Sequence, residues 1–106
     1  MGAALFFYSG SNFAEPTWHN NVLIKGIYPL SDGTVALMVD KDNPLCTSTS
    51  SPKYYHLAEN QQGVTSVGFM NIYGAALSAA SKGKLVNINF ESSDSNCWIN
   101  RIIVSF

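Results

Sequence analysis

A single helix-forming segment divides the 106-residue chain into an earlier and a later part, both of which show strand patterns. From Val67 to Ser81 the apolar residues recur at helical spacing. Thr65 or Ser66 is the predicted N-cap, and Gly83 stands where a left-handed C-cap belongs. The residues that recur on the apolar face are Phe69, Ile72, Tyr73, Ala76 and Ala80.

Five segments have the composition and alternation of strands, three before the helix and two after it. They are Asn21–Tyr28, Thr34–Val39, Tyr54–Ala58, Leu85–Phe90 and Cys97–Phe106. Thr34–Val39 has few polar residues on either face, so we expect it to be covered on both sides. Leu85–Phe90 alternates cleanly, which predicts a half-buried strand with Asn87 and Asn89 on its polar face.

The order of these elements, β-β-β-α-β-β, is that of the OB-fold, a small Greek-key barrel. We therefore predict an all-β fold with one helix, organised as a five-stranded OB-like antiparallel barrel. Closure is favoured because five short strands need some way to protect their edges. An antiparallel sheet with a packed helix is the less specific alternative.

The N-terminal segment has an apolar run from Ala3 to Tyr8, followed by small and polar residues up to Ala14. This pattern resembles the apolar region and cleavage site of a secretory signal, although no positively charged region precedes it. We interpret residues 1–14 either as a truncated signal peptide or as an extra N-terminal strand. Residues 15–106 are then a single OB-like domain.

The two cysteines, Cys46 and Cys97, both lie in polar, turn-like surroundings. Free structural cysteines are usually buried, so this placement predicts a disulfide and a secreted or periplasmic location. Two unrelated thiols in a cytosolic protein are the alternative. A bridge closing a loop of this length would contribute about 4 kcal/mol in the chain-entropy model.

The charge balance argues against nucleic acid as a partner. Six Lys and Arg oppose seven Asp and Glu, and the basic residues are scattered along the chain; nucleic-acid binding draws on clustered positive charge. No apolar run approaches the roughly 20 residues that a membrane-spanning helix needs. The distant cysteines and the separated His19 and His56 lack metal-ligand spacing, so we predict no metal and no cofactor.

The predicted helix carries no charged residue before Lys82. A helix that caps a single barrel should be charged on its outer face, so its second face is a candidate interface with another subunit. The small or weakly polar residues proposed for this interface are Asn71, Gly74, Ala75 and Ser78. They predict a homo-oligomer, unless they form only a weakly polar solvent-facing surface.

The chain shows no pattern typical of an active site. Its hydroxyl-rich loops contain neither a nucleophile elbow nor a Ser-x-x-Lys arrangement, and Asp40 and Asp42 fall in a predicted turn. His56, flanked by tyrosines in a strand, is more typical of a packed or surface residue than of a catalyst. We therefore predict that the protein is not an enzyme.

A binding site is more plausible, because the chain contains aromatic and polar side chains of the kinds that hold sugars. In OB-folds, ligands use the face of strands two and three and the loops between strands one and two and strands four and five. Trp98 is predicted to lie in the core. The ligand-binding candidates are Trp18, His19, Ser31, Asp32, Tyr54, Asp94, Asn100 and Arg101.

From the helix onward, the pattern "SKGKLVNINF", then "SSDSNCW", then a terminal hydrophobic strand resembles the cell-binding B subunits of bacterial AB5 toxins. The pertussis-like and subtilase-cytotoxin-like groups are the most similar, and small secreted bacterial proteins of this length share the pattern. The resemblance covers residues 21–106 as an order of elements rather than as a fixed signature. It implies ring pentamers that bind cell-surface glycans, with no sugar-binding motif matched residue by residue.

These observations predict a secreted or periplasmic, non-enzymatic binding protein, and the resemblance to toxin B subunits implies a glycan-binding oligomeric module. The alternative is a structural or protein-interaction subunit of the bacterial envelope or of a secretion system. Binding of single-stranded nucleic acid, which other OB-folds perform, has little basis in the charge balance.

Overall fold

The computed structural model describes residues 16–105. The signal remnant or extra strand predicted for residues 1–14 lies outside this range. The elements in chain order are β1 Pro16–Val22, β2 Ile24–Pro29, β3 Val35–Val39, β4 Tyr55–Leu57, α1 Ser66–Lys82, β5 Val86–Glu91 and β6 Ile99–Val104.

The strands form two antiparallel sheets of three strands each, in the orders β1-β5-β6 and β2-β3-β4. Only Leu23 separates β1 from β2, so one run of chain passes from the first sheet into the second. Asp40 holds this crossing, because the Leu23 amide donates to its Oδ1 at 2.9 Å and the Asp40 amide donates to the Leu23 carbonyl at 2.9 Å. The prediction of a mostly β fold with one helix is confirmed, whereas a closed barrel is not seen among the described residues.

The first predicted strand is wrong in its extent. The sequence predicts one strand over Asn21–Tyr28. The structure instead has β1, which begins at Pro16, and β2, which begins at Ile24, with Leu23 between them. The register of β1 shifts between His19 and Val22, where Asn21 has a positive φ of 58°. Asparagine tolerates a positive φ better than most residues. Its polar side chain also interrupts the alternation of apolar residues by which a strand is recognised in a sequence.

The core lies between the inner faces of the two sheets. The predicted apolar face of β5 is confirmed, because Val86, Ile88 and Phe90 are all fully buried. β3 is covered on both sides, as predicted, since Ala36 on its outer face is as inaccessible as its inward neighbours. Asn89 departs from the half-buried pattern expected for the polar face of β5, because only 2% of its surface is exposed.

The helix and its caps follow the prediction closely. The Thr65 side chain accepts a hydrogen bond from the Gly68 amide, and Gly83 ends the helix with a left-handed φ of 63°. Ile72, Ala76 and Ala79 are the buried residues of α1. Its outer face leaves apolar side chains exposed, Met70 most of all at 70%.

The predicted disulfide is confirmed. Cys46 and Cys97 are bonded, with their Cα atoms 5.7 Å apart. The bridge ties the loop between β3 and β4 to the loop between β5 and β6. A disulfide of this kind is typical of an oxidising, extracytoplasmic compartment. Within residues 16–105, no helix is long and apolar enough to cross a bilayer.

Candidate functional site

Four aromatic side chains form a continuous row on the outer surface, which we call the aromatic band: Tyr28, Tyr54, His56 and Trp98. Tyr28 on β2 and His56 on β4 both pair with Ala36 of β3, so the three lie side by side on one face of the sheet. The flanking rings account for the burial of the small Ala36 side chain on a face that would otherwise be open.

The rings contact one another in sequence along the band. Ring centroids lie 5.6 Å apart for Tyr28 and Tyr54, 6.3 Å for Tyr54 and His56, and 5.8 Å for His56 and Trp98. The interplanar angles of 44°, 68° and 62° are tilted or edge-on arrangements, which aromatic pairs prefer over a flat sandwich. Tyr28 is 45% exposed and the other three rings are half-buried, so the band presents ring surface to solvent.

His56 joins the two sheets at the centre of the band. The Asn96 carbonyl lies 3.2 Å from the His56 amide nitrogen and 2.8 Å from its Nδ1. A carbonyl can only accept, so Nδ1 carries a proton and, in the neutral ring, the lone pair is on Nε2. The band therefore includes a nitrogen that can accept a hydrogen bond from a hydroxyl group.

The loop between β5 and β6 sets the position of Trp98. Asp94 shapes this loop, because its Oδ1 accepts from the Asn96 amide at 2.8 Å and its carbonyl accepts from the Cys97 amide at 2.9 Å. The Trp98 carbonyl accepts from the Glu91 amide at 2.9 Å. These contacts fix the backbone on both sides of Trp98, which directly follows the disulfide-bonded Cys97. The Trp98 side chain is half-buried and is not part of the core, so the prediction that it lies in the core is wrong.

A polar cleft of about 350 Å³ adjoins the sheet that carries most of the band. It is lined by Asp32, Gly33, Ala58, Glu59 and Asn60. The last pair of the β3–β4 ladder is Val35 with Leu57, so the cleft begins immediately beyond it, two residues along the chain from His56. Its volume is at the lower end of the range for small-ligand sites.

Asp32 keeps its negative charge at this cleft. The Thr34 backbone amide donates to its Oδ1 at 2.9 Å, and this hydrogen bond is the main cause of a pKa below the usual value. Ser31, its neighbour in the turn, is exposed. The cleft therefore offers a carboxylate acceptor together with the Glu59 carboxylate and the Asn60 amide.

Trp18 and Arg101 meet on the outer face of the other sheet. The guanidinium carbon of Arg101 lies 5.6 Å from the centroid of the Trp18 ring, within the range of a cation–π contact. The Arg101 Nε donates to the Asn100 side-chain oxygen at 3.0 Å. Three of the predicted ligand-binding residues are thus brought together here.

His19 has a structural position in the interior. Its ring stacks on Tyr55 with centroids 5.7 Å apart. Nε2 lies within hydrogen-bond distance of the Lys41 carbonyl, and Nδ1 lies 3.3 Å from the side-chain nitrogen of Asn43. These contacts hold the loop that follows β3, and they place His19 away from the band.

The predicted ligand-binding residues are therefore spread over several places. Tyr54 belongs to the band, Asp32 to the cleft, and Asp94 shapes the loop beneath Trp98. Tyr28, His56 and Trp98 belong to the band but are not among the ligand-binding residues predicted from the sequence. Tyr54 and His56 are two residues apart, and the period of two of a strand was a usable signal that they share a face.

Among residues 16–105, no group of three or more His, Cys, Asp or Glu side chains could hold a metal ion. No protein-family model, no curated protein and no solved structure matches the chain.

Proposed function

We propose that the protein is a non-enzymatic, extracytoplasmic carbohydrate-binding domain with an OB-like, partly open barrel. The observation that carries the proposal is the aromatic band on the outer surface, with a polar cleft at the end of the β3–β4 ladder beside it. Aromatic faces stack on the C–H surfaces of sugars, while carboxylates, amides and a histidine nitrogen hydrogen-bond their hydroxyl groups.

The OB-like organisation is supported by how the chain connects the two sheets. The run from β1 to β2 joins them on one side, and the hydrogen bond between the His56 amide and the Asn96 carbonyl joins β4 to the loop before β6 on the other. With β1 and β2 counted as one bent strand, the order is that of an OB-fold. β3 and β4 then correspond to its second and third strands, the face that binds ligands in this fold.

Carbohydrate is favoured over single-stranded nucleic acid because of the charge around the band. Stacking alone would suit bases as well as sugars. The cleft beside the band, however, carries the acidic side chains of Asp32 and Glu59, which would repel a phosphate backbone. The chain as a whole has a net charge of -1.

The disulfide supports an extracytoplasmic location, because such bonds persist mainly in oxidising compartments. A glycan-binding role outside the cytoplasm agrees with the resemblance to toxin B subunits, a family that binds cell-surface glycans. A secreted or periplasmic location and membership of that group are both part of the proposal.

A glycan array on disulfide-intact protein, followed by calorimetry with the best ligand, tests the proposal. We expect Tyr28→Ala and Trp98→Ala to weaken binding at least about tenfold, which corresponds to about 1.4 kcal/mol. Leu85→Ala is the matched control, because this apolar side chain is 40% exposed and lies at the end of the β5–β6 ladder opposite Trp98, outside both the band and the helix. Absence of any glycan signal above background, or wild-type affinity in both band variants, would overturn the proposal.

A second candidate function, protein–protein interaction, is favoured by the outer face of α1. Val67 is 66% exposed and Met70 is 70% exposed, and the exposed Gly74 allows close approach of another backbone. The occupant we propose is a second copy of the chain, because an uncharged helix face can pack on itself without charge repulsion. Light scattering should show an oligomer that Met70→Lys dissociates, and a wild-type monomer at micromolar concentration would contradict it.

A further inference from the structure

Asn89 is a buried polar residue with an unmet hydrogen bond. It is 2% exposed, and its side-chain Oδ1 has no hydrogen-bond partner among residues 16–105. Buried side-chain oxygens in native proteins nearly always have a partner, so such an exception calls for an explanation. The free-energy cost of burying this oxygen is therefore not offset by a hydrogen bond within the part of the chain that the structure describes.

The strand register places Asn89 beneath the contact between Trp18 and Arg101. Asn89 lies on the central strand β5, paired with Trp18 of β1 on one side and with Arg101 of β6 on the other. Residues directly opposite one another in an antiparallel pair share a face of the sheet. Trp18 and Arg101 contact each other across the intervening strand, so their side chains lie on the same face of the sheet as Asn89.

We infer that Trp18, Asn89 and Arg101 form a subsite for a carboxylate-bearing sugar residue, a uronic acid. The Arg101 guanidinium has the fork geometry that binds a carboxylate through two parallel hydrogen bonds. Trp18 is 39% exposed and offers a ring face for stacking. The Asn89 Oδ1 accepts a hydrogen bond from a hydroxyl group of the same sugar residue once Arg101 turns from the tryptophan ring toward the carboxylate.

Arg101 is suited to this movement. Its side chain is exposed, and its described contacts are the Nε hydrogen bond to Asn100 and the stacking on Trp18. Neither contact engages the two terminal nitrogens in a hydrogen bond with the residues that the structure describes. These nitrogens are the donors that a carboxylate takes up, so ligand binding would replace a weak stacking contact with charged hydrogen bonds.

The subsite extends the proposed carbohydrate function and rests on it. Trp98 of the aromatic band and Arg101 are three positions apart in sequence, which corresponds to roughly 10 Å along a strand. An oligosaccharide could therefore stack on the band with one unit and place an acidic unit over Asn89. The inference names the class of sugar that the outer surface of the protein selects.

The test compares acidic oligosaccharides with their uncharged counterparts. The probes are oligogalacturonate, hyaluronan and glucuronoxylan oligosaccharides, each beside its methyl ester, together with a panel of neutral glycans. We expect the acid form of at least one probe to bind about tenfold tighter than its ester, an advantage that salt weakens. Arg101→Gln should remove the advantage, and Arg101→Lys should restore part of it because it keeps the charge without the fork.

Asn89→Leu provides the second arm. Replacing a buried amide whose oxygen has no partner among residues 16–105 with an apolar side chain of similar shape should leave the melting temperature unchanged or raise it. The same variant should bind the acidic probe about tenfold more weakly, because the hydroxyl loses its acceptor. A loss of binding without a loss of stability separates a role in recognition from a role in folding.

The outcomes distinguish the inference from the proposed function. If uronates and their esters bind alike and neither Arg101→Gln nor Asn89→Leu changes the affinity, the subsite is overturned, while binding through the aromatic band stands. If no charged or neutral glycan binds at all, the carbohydrate function is overturned and the subsite with it.

Discussion

Removing the disulfide is the sharpest test of how this small domain is stabilised and how its binding surface is held. Cys46 and Cys97 are both fully buried and are separated by 51 residues. Each lies in a loop rather than in a strand, so backbone pairing does not replace the bond. The double variant Cys46→Ala, Cys97→Ala removes the cross-link without introducing a polar group.

The expected loss follows from the length of the closed loop. In the chain-entropy model, a loop of this size restricts the unfolded chain by about 4 kcal/mol. A domain has a total stability of about 5–15 kcal/mol, so the variant should lose from a quarter to most of it. For a domain of about 100 residues, this corresponds to a fall in melting temperature of roughly 15–30 °C.

Urea denaturation of the oxidised protein, the reduced protein and the double variant measures this loss. The reduced protein is the matched control, because it lacks the bond but keeps both sulfur atoms in the core. Both should unfold at similarly low urea concentrations. A difference below about 1 kcal/mol between oxidised and reduced protein would refute the reasoning, since the entropic term would then be absent.

The same variant tests the link between the bridge and the aromatic band. Trp98 directly follows Cys97, so we expect the folded fraction of the variant to bind glycan more weakly than the oxidised protein. Unchanged affinity in that fraction would show that pairing within the sheet is sufficient to position Trp98.

Three further predictions concern stability. Burial raises the pKa of Tyr55 above its usual value of 10.0, so the folded state keeps a proton that the unfolded chain releases. Wild-type stability should therefore fall above about pH 10, and more steeply than that of Tyr55→Phe, measured by urea titration from pH 8 to 11. In thermal melts, Gly83→Ala should cost about 1 kcal/mol because Gly83 has a positive φ, whereas Gly74→Ala in open space should gain about 0.5–1 kcal/mol; equal effects would contradict this. Thr65→Ala should cost about 1 kcal/mol through loss of the N-cap, and an unchanged melting temperature would argue against the cap.

Local sequence determined the elements whose signals are short-range. The helix from Ser66 to Lys82, with Thr65 as N-cap and Gly83 as C-cap, was predictable within a residue at each end, because capping chemistry and the helical period act over a few neighbouring positions. The inward face of β5 followed from a period of two. The disulfide was predictable because the chain has only two cysteines.

Tertiary structure decided which side chains face solvent together. The register shift between Asn89 and Phe90 sets the outer face of β6, and no local pattern reveals a bulge that depends on the partner strand. Asn89 is buried although it lies on the polar face of β5, on the central strand between Trp18 and Arg101, and His19 is interior because the loop after β3 contacts its ring. Sequence periodicity assigns residues to the faces of single strands, whereas the aromatic band and the Asn89 site depend on pairings between strands.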